Sequence, residues 1–135
     1  MIQQAICIKT NPDPYEAFHL AQAYRVDNVI YISGQAAINT DGEVVGAGDF
    51  DRQAKQTFQN LETILQLGGS DLSKIIKVTI FITNMKNFSK IIALRKKFFS
   101  PPYPADTIVE VSSLALPELE IEIEAIALVD GEIIG

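Results

Sequence analysis

Cysteine and histidine are nearly missing from this chain, with Cys7 and His19 the only residues of their kind. A lone thiol forms no internal disulfide and leaves no thiolate cluster for zinc. A lone imidazole excludes two-histidine zinc motifs and all-histidine metal sites, and no metal or other cofactor is expected. Cations are also scarce: 11 Lys plus Arg stand against 17 Asp plus Glu, a net charge of -6. Nucleic-acid affinity comes mainly from cations that displace counterions from phosphates, so this balance argues against a general nucleic-acid binder. No apolar run approaches the ~20 residues that cross a bilayer, so no membrane partner is expected. Met1 to Thr10 lacks the basic-then-apolar layout of a secretory leader, which makes the cytoplasm the expected location. Repeats, linkers and low-complexity stretches are lacking too, and the 135 residues read as a single domain over 1–135.

What is present is periodic. Gln3 to Ile8 is short and mostly apolar, a candidate first strand, and the two prolines of Asn11-Pro12-Asp13-Pro14 mark a loop after it. Ala21 to Ser33 reads as two strands meeting at Asp27-Asn28, a pair that tolerates left-handed turns. From Phe50 the period changes: Phe50, Ala54, Phe58, Leu61, Ile64, Leu65 and Leu67 recur at helical spacing. Asp49 or Asp51 supplies the N-cap and Gly68-Gly69 the stop. Lys74 to Thr83 is a β-branched strand, and Asn87 is placed to cap a second helix facing inward with Phe88, Ile91, Ile92 and Phe98. Pro101-Pro102 forbids its continuation. Asp106 to Val111 and Leu119 to Leu128 complete the strands.

The order β-β-β-α-β-α-β-β makes an α+β fold, a mixed sheet with two helices on one face. Yet Val29 to Ile32 and Ile75 to Ile82 carry apolar residues on both faces. The second face needs cover, and copies of the same chain are the simplest source, so a homo-oligomer is expected.

Several blocks carry a resemblance. Ser33-Gly34-Gln35 after an apolar strand, Gln53-Ala54 opening the first helix, Ile75 to Thr83, Tyr103-Pro104 and Ile121-Glu122-Ile123-Glu124-Ala125-Ile126-Ala127 resemble the Rid (YjgF) family of reactive-intermediate deaminases. The likeness runs from about Gln22 to Leu128. It implies a chorismate-mutase-like fold and a homotrimer whose sheets form a central barrel, with a small-molecule cleft at each subunit boundary. Active members hydrolyse enamines and imines to a 2-oxo acid and ammonia without a cofactor. An arginine clamps the substrate carboxylate, a glutamate on the last strand holds the attacking water, and a tyrosine lines the pocket.

Carried over by register, the glutamate is Glu122, and Ser33 and Gly34 keep their places. The arginine position, two residues after Tyr103-Pro104, holds Asp106. An aspartate accepts hydrogen bonds and repels carboxylates, where an arginine offers a planar fork of donors. The tyrosine, counted back from Ser33, falls on Leu20, with Tyr15 and Tyr24 out of register, and the family's cysteine falls on Ile108.

Each candidate has a plainer reading beside the functional one. Glu122 alternates with Glu120 and Glu124, which reads either as a solvated acidic strip on an edge strand or as a cleft group. Asp106 is an altered anchor or the polar start of a strand. Ser33 lines the cleft or ends its strand by bonding nearby backbone. His19 reads as a surface or hydrogen-bonded structural residue rather than a proton carrier, and Cys7 as a small core hydrophobe. Arg95-Lys96-Lys97 reads as a solvated helix end facing the negative pole of the dipole. The functions that follow are an enamine or imine deaminase of unusual selectivity and, as rival, a non-catalytic metabolite-binding trimer. A ribonuclease role comes third, because no basic groove with interleaved aromatics is evident.

Overall fold

The computed structural model describes residues 2–135; Met1, part of the segment read above for a leader, lies outside them. Six strands and two helices follow the expected order: β1 Ala5–Ile8, β2 Ala23–Val26, β3 Val29–Ala36, α1 Phe50–Leu67, β4 Ile75–Ile82, α2 Phe88–Phe98, β5 Ala105–Glu110 and β6 Ile121–Leu128. They form one sheet in the order β1-β2-β3-β6-β4-β5. Every pairing is antiparallel except β4 with β5, which are parallel and joined through α2. A parallel pair needs a crossover, and a helix that returns onto the sheet supplies it.

Both helices lie on one face and share one core. Ile30 and Ile32 of β3, Val78, Ile80 and Ile82 of β4 and Ile121 and Ile123 of β6 are buried there with Phe58, Leu61, Leu65 and Ile91. Phe58 joins the helical layer together, stacked on Phe98 with ring centroids 4.2 Å apart and edge-on to Phe99. A register shift between Ile75 and Lys77 lets Ile75 and Val78 both turn inward. The opposite face carries Tyr24, Tyr31, Lys77, Thr79, Glu124 and Ile126, with Tyr24 and Tyr31 nearly half exposed. Two helices thus leave a mixed apolar and polar face open, as the strand pattern implied.

The element ends bear out one of the expected caps and correct others. Asp49 is the α1 cap, its carboxylate accepting from the Arg52 amide at 3.1 Å. Only Gly69 of the glycine pair takes the left-handed conformation, at φ +83. Asn87 makes no side-chain cap; Asn84 instead caps a 3-10 turn at Met85–Asn87 that leads into α2. Phe88 and Ile92 are exposed at 41% and 52%, so α2 reaches the core chiefly through Ile91, and Leu67 at the end of α1 is exposed as well. Cys7 is exposed rather than a core residue, since β1 is an edge strand and only Ile8 of it is buried. His19 is exposed and structural: it closes a 3-10 turn at φ 58 and donates its amide to the Glu16 carbonyl. Among the described residues no helix is long and apolar enough to cross a membrane.

Candidate active site

The site grows from an irregularity in β3. Its pairing with β6 shifts register between Ile32 and Gln35, and Ser33 and Gly34 occupy that bulge. Bulges redirect side chains and free backbone groups from the ladder, which is why they recur beside active sites. Ser33 is tied down on both sides. Its amide donates to the Gln22 carbonyl at 2.9 Å, and its hydroxyl to the Ala21 carbonyl at 2.6 Å.

Glu122 lies across the bulge. Ile121 and Ile123 are wholly buried on the helix side, so Glu122 between them points to the open face. Its side chain packs directly over Gly34: a Cβ there would meet Glu122 Oε2 first and come within 2.7 Å of Cδ and 2.9 Å of Cγ. Only glycine leaves room for this carboxyl. Burial raises the Glu122 carboxyl above the usual glutamate range, and the charge of Glu124 two residues on adds to it. β6 is a central strand between β3 and β4, so the edge-strand reading of the glutamate ladder is replaced by a half-buried group in mid-sheet.

A tyrosine completes this corner, and it is Tyr15. Its hydroxyl donates to the Gly34 carbonyl at 2.7 Å. The phenol is pushed up to about 12 by burial and then by the Glu122 charge, so it stays a neutral donor at any physiological pH. The loop that carries it is pinned at its base by Gln22, whose side chain accepts from the Thr10 amide at 2.7 Å and donates to the Thr10 hydroxyl. Leu20, the position that register assigns to the tyrosine, is 45% exposed and lines a shallow cavity of about 520 Å³ on the open face with Ser33, Lys77, Thr79 and Glu124. Local pattern carries no signal for Tyr15, because the Thr10–Gln22 hydrogen bonds that close its loop join residues distant in sequence.

Asp106 and Ile108 lie elsewhere. In the parallel ladder they pair with Val78 and Ile80, whose side chains are buried on the helix side, so both point away from Glu122. Ile108 packs against the core. Asp106 is clamped by Arg95 of α2, with Nε to Oδ2 at 2.8 Å and Nη2 to Oδ1 at 2.9 Å. The expected carboxylate repulsion at this position is therefore matched by a guanidinium from the same chain. It also corrects the reading of Arg95 as a solvated helix end, since its side chain is only 26% exposed. Within one chain, then, Glu122, Gly34 and Tyr15 come together, Ser33 and Leu20 share the neighbouring cavity, and Asp106 and Ile108 stand on the far side of the sheet.

The Glu122–Gly34 packing carries a direct expectation. Gly34→Ala should displace the carboxyl by steric overlap, since Gly34 is outside the left-handed region and pays no backbone strain. Folding stability should fall by about 1–2 kcal/mol, and any turnover that depends on Glu122 should drop at least about tenfold. Thermal unfolding and steady-state rates measured side by side check this.

Comparisons with known proteins agree with this architecture. The family profile described as Endoribonuclease L-PSP matches residues 10–129. The chain is 34% identical over 110 residues to a protein named 2-iminobutanoate/2-iminopropanoate deaminase from Dermatophagoides farinae, covering 82% of this chain and 85% of the relative. It is 32% identical over 121 residues to the mouse protein of the same name, covering 90% and 89%. Among solved structures, a Rid-family protein of unknown function from Yersinia pestis superposes with a TM-score of 0.84 at 35% identity, covering 93% of this chain and 99% of that one. The chain belongs to the Rid (YjgF) family, whose profile carries the description Endoribonuclease L-PSP.

Proposed function

We propose that this protein hydrolyses a reactive enamine or imine to a carbonyl compound and ammonia, in clefts completed between the copies of a cytoplasmic homotrimer. The observation that carries this reading is the half-buried Glu122 carboxyl seated on Gly34 beside a neutral Tyr15. Relatives named as iminobutanoate deaminases support the reaction class. The open sheet face supports the assembly, because Tyr24, Tyr31 and Ile126 need cover that no element among the described residues gives.

The chemistry follows from the residues. Glu122 as carboxylate accepts a proton from a water held against it, and the water oxygen bonds to the C=N carbon as the π pair moves to nitrogen. Glu122 returns its proton to the nitrogen to give the carbinolamine, then relays the hydroxyl proton to the amine, so that the C–N bond breaks and ammonia leaves as the C=O forms. An enamine first takes a proton on carbon to become the imine. Burial and the neighbouring Glu124 raise the Glu122 pKa, which makes the carboxylate a stronger base toward the water. Tyr15 holds the Gly34 carbonyl in place, and Ser33 and the backbone beside Gly34 contact the substrate. The position two residues after Tyr103-Pro104 holds a neutralised Arg95–Asp106 pair, which gives this chain a selectivity of its own.

The profile's printed description names an endoribonuclease. A net charge of -6 works against an RNA substrate for this chain. The deaminase reading is tested by ammonia release from 2-iminobutanoate generated in situ by a threonine dehydratase. Release well above spontaneous hydrolysis is expected; a rate equal to that of water alone would contradict it.

A further inference from the structure

We propose that the groove between the start of α1 and the end of α2 is a docking surface for an acidic segment of another protein, one that carries a bulky apolar side chain flanked by carboxylates. The groove has a volume of about 550 Å³, with Leu94 and Phe98 of α2 at its floor and Arg52 and Lys55 of α1 and Lys97 of α2 along its walls. Both helices lie on the face of the sheet opposite Tyr24 and Tyr31, so copies that pack through the open sheet face leave this groove accessible. Neither Glu122 nor the Arg95–Asp106 pair takes part.

The cations at this groove lack acidic partners. The chain carries 17 Asp plus Glu against 11 Lys plus Arg. Yet Arg52, Lys55 and Lys97 are exposed, and among the described residues none of them makes an ion pair. The two acids beside them are already engaged. Asp49 caps α1 by accepting from the Arg52 amide at 3.1 Å, and Asp51 pairs with Lys90 at 3.4 Å. With Lys90 counted, four cations face two acids, a local surplus of positive charge on a chain of net charge -6. Such a surplus is the electrostatic complement of an acidic ligand.

The floor between these cations is apolar and firm. Leu94 and Phe98 are partly buried and packed against the core, and the Phe98 ring is stacked on Phe58. Lys97 lies over that ring, 5.2 Å from its centroid. A floor fixed by packing loses little freedom when a side chain seats on it. Cations on both helical walls with an apolar floor between them suit a ligand that has acids on either side of one apolar group, whereas a small inorganic anion would leave the floor bare. A nucleic acid needs a longer basic track, and Asp49 and Asp51 interrupt this one.

The test is an NMR titration of the native protein with a capped peptide that holds one phenylalanine between two short runs of aspartate. Saturable shifts are expected in the groove-lining residues of α1 and α2, with β5, β6 and the Tyr15 loop unmoved. Replacing the phenylalanine by alanine, or the aspartates by asparagines, should each weaken binding at least about tenfold. The triple variant Arg52→Gln, Lys55→Gln and Lys97→Gln should also lose peptide binding by at least about tenfold. Lys9→Gln, which removes an exposed cation outside the groove, should retain it to within about threefold. The peptide series uses native protein and decides the matter if the triple variant does not fold. An oligouridylate of equal charge that shifts the same residues and binds as tightly would assign the groove to nucleic acid. That result, binding indifferent to the phenylalanine, shifts centred on β5, undiminished binding by the triple variant, or no saturable binding by the native protein would each overturn the proposal.

Discussion

Glu122→Gln should lower kcat/KM for imine hydrolysis by about 100- to 10,000-fold, the usual range for a lost general acid–base group. The change is isosteric, so the amide still fits over Gly34 and the fold persists; circular dichroism should be unchanged. In the native protein the rate should rise with pH through a limb lying above the ordinary glutamate range, because burial and Glu124 hold the carboxyl protonated longer. The same shift has a consequence for stability. A carboxyl whose folded-state pKa is raised binds its proton more tightly folded than unfolded, so its contribution is fully present below the unfolded value and is lost as pH rises through the folded one. Glutamine does not titrate. The stability of Glu122→Gln relative to the native protein should therefore climb as pH rises above the ordinary glutamate value, which urea melts across that window will show.

Gln53→Leu should cost about 2–4 kcal/mol of folding stability through the hydrogen bonds it deletes. Gln53 is fully buried near the start of α1. Its amide nitrogen donates to the carbonyls of Gly46 at 3.1 Å and Glu118 at 2.8 Å, and its oxygen accepts from the Glu120 amide at 2.8 Å. Leucine has similar volume but satisfies none of these groups, and each buried unpaired partner costs ~1–3 kcal/mol before relaxation. For a domain of this size the melting temperature should drop by roughly 8–15 °C. A change below about 3 °C would mean that water reaches these groups and that Gln53 does not join α1 to the β6 entry. Because Glu120 precedes Glu122 by one alternation, the same variant should also loosen the site and reduce turnover below what unfolding explains.

Much of this was written into local pattern. The switch from period two to helical spacing at Phe50, the β-branched run of β4 and the Asp27-Asn28 turn fixed element order, because each depends on neighbours within a few residues. Glu122 was legible for the same reason: alternation with Ile121 and Ile123 dictates its face once those two are buried. The errors fall where the answer depends on distant partners. Counting back from Ser33 gave Leu20, because counting assumes an unbroken path, whereas Gln22 closes a loop on Thr10 and returns Tyr15 to Gly34. Asp106 looked like a reversed charge because Arg95 lies on a helix, and only the fold lays that helix against β5. The glutamate ladder looked like an edge because β6 is last in sequence, while the sheet order places it third from one end.

The account is tested most directly by ammonia release per chain from 2-iminobutanoate across a dilution series, with molecular mass read by light scattering on the same samples. Native protein at three times the 14.8 kDa chain mass should accelerate release above spontaneous hydrolysis, with activity per chain falling as the trimer dissociates. No acceleration at any concentration, or full activity per chain in a monomer of 14.8 kDa, would contradict a Glu122 cleft completed between copies.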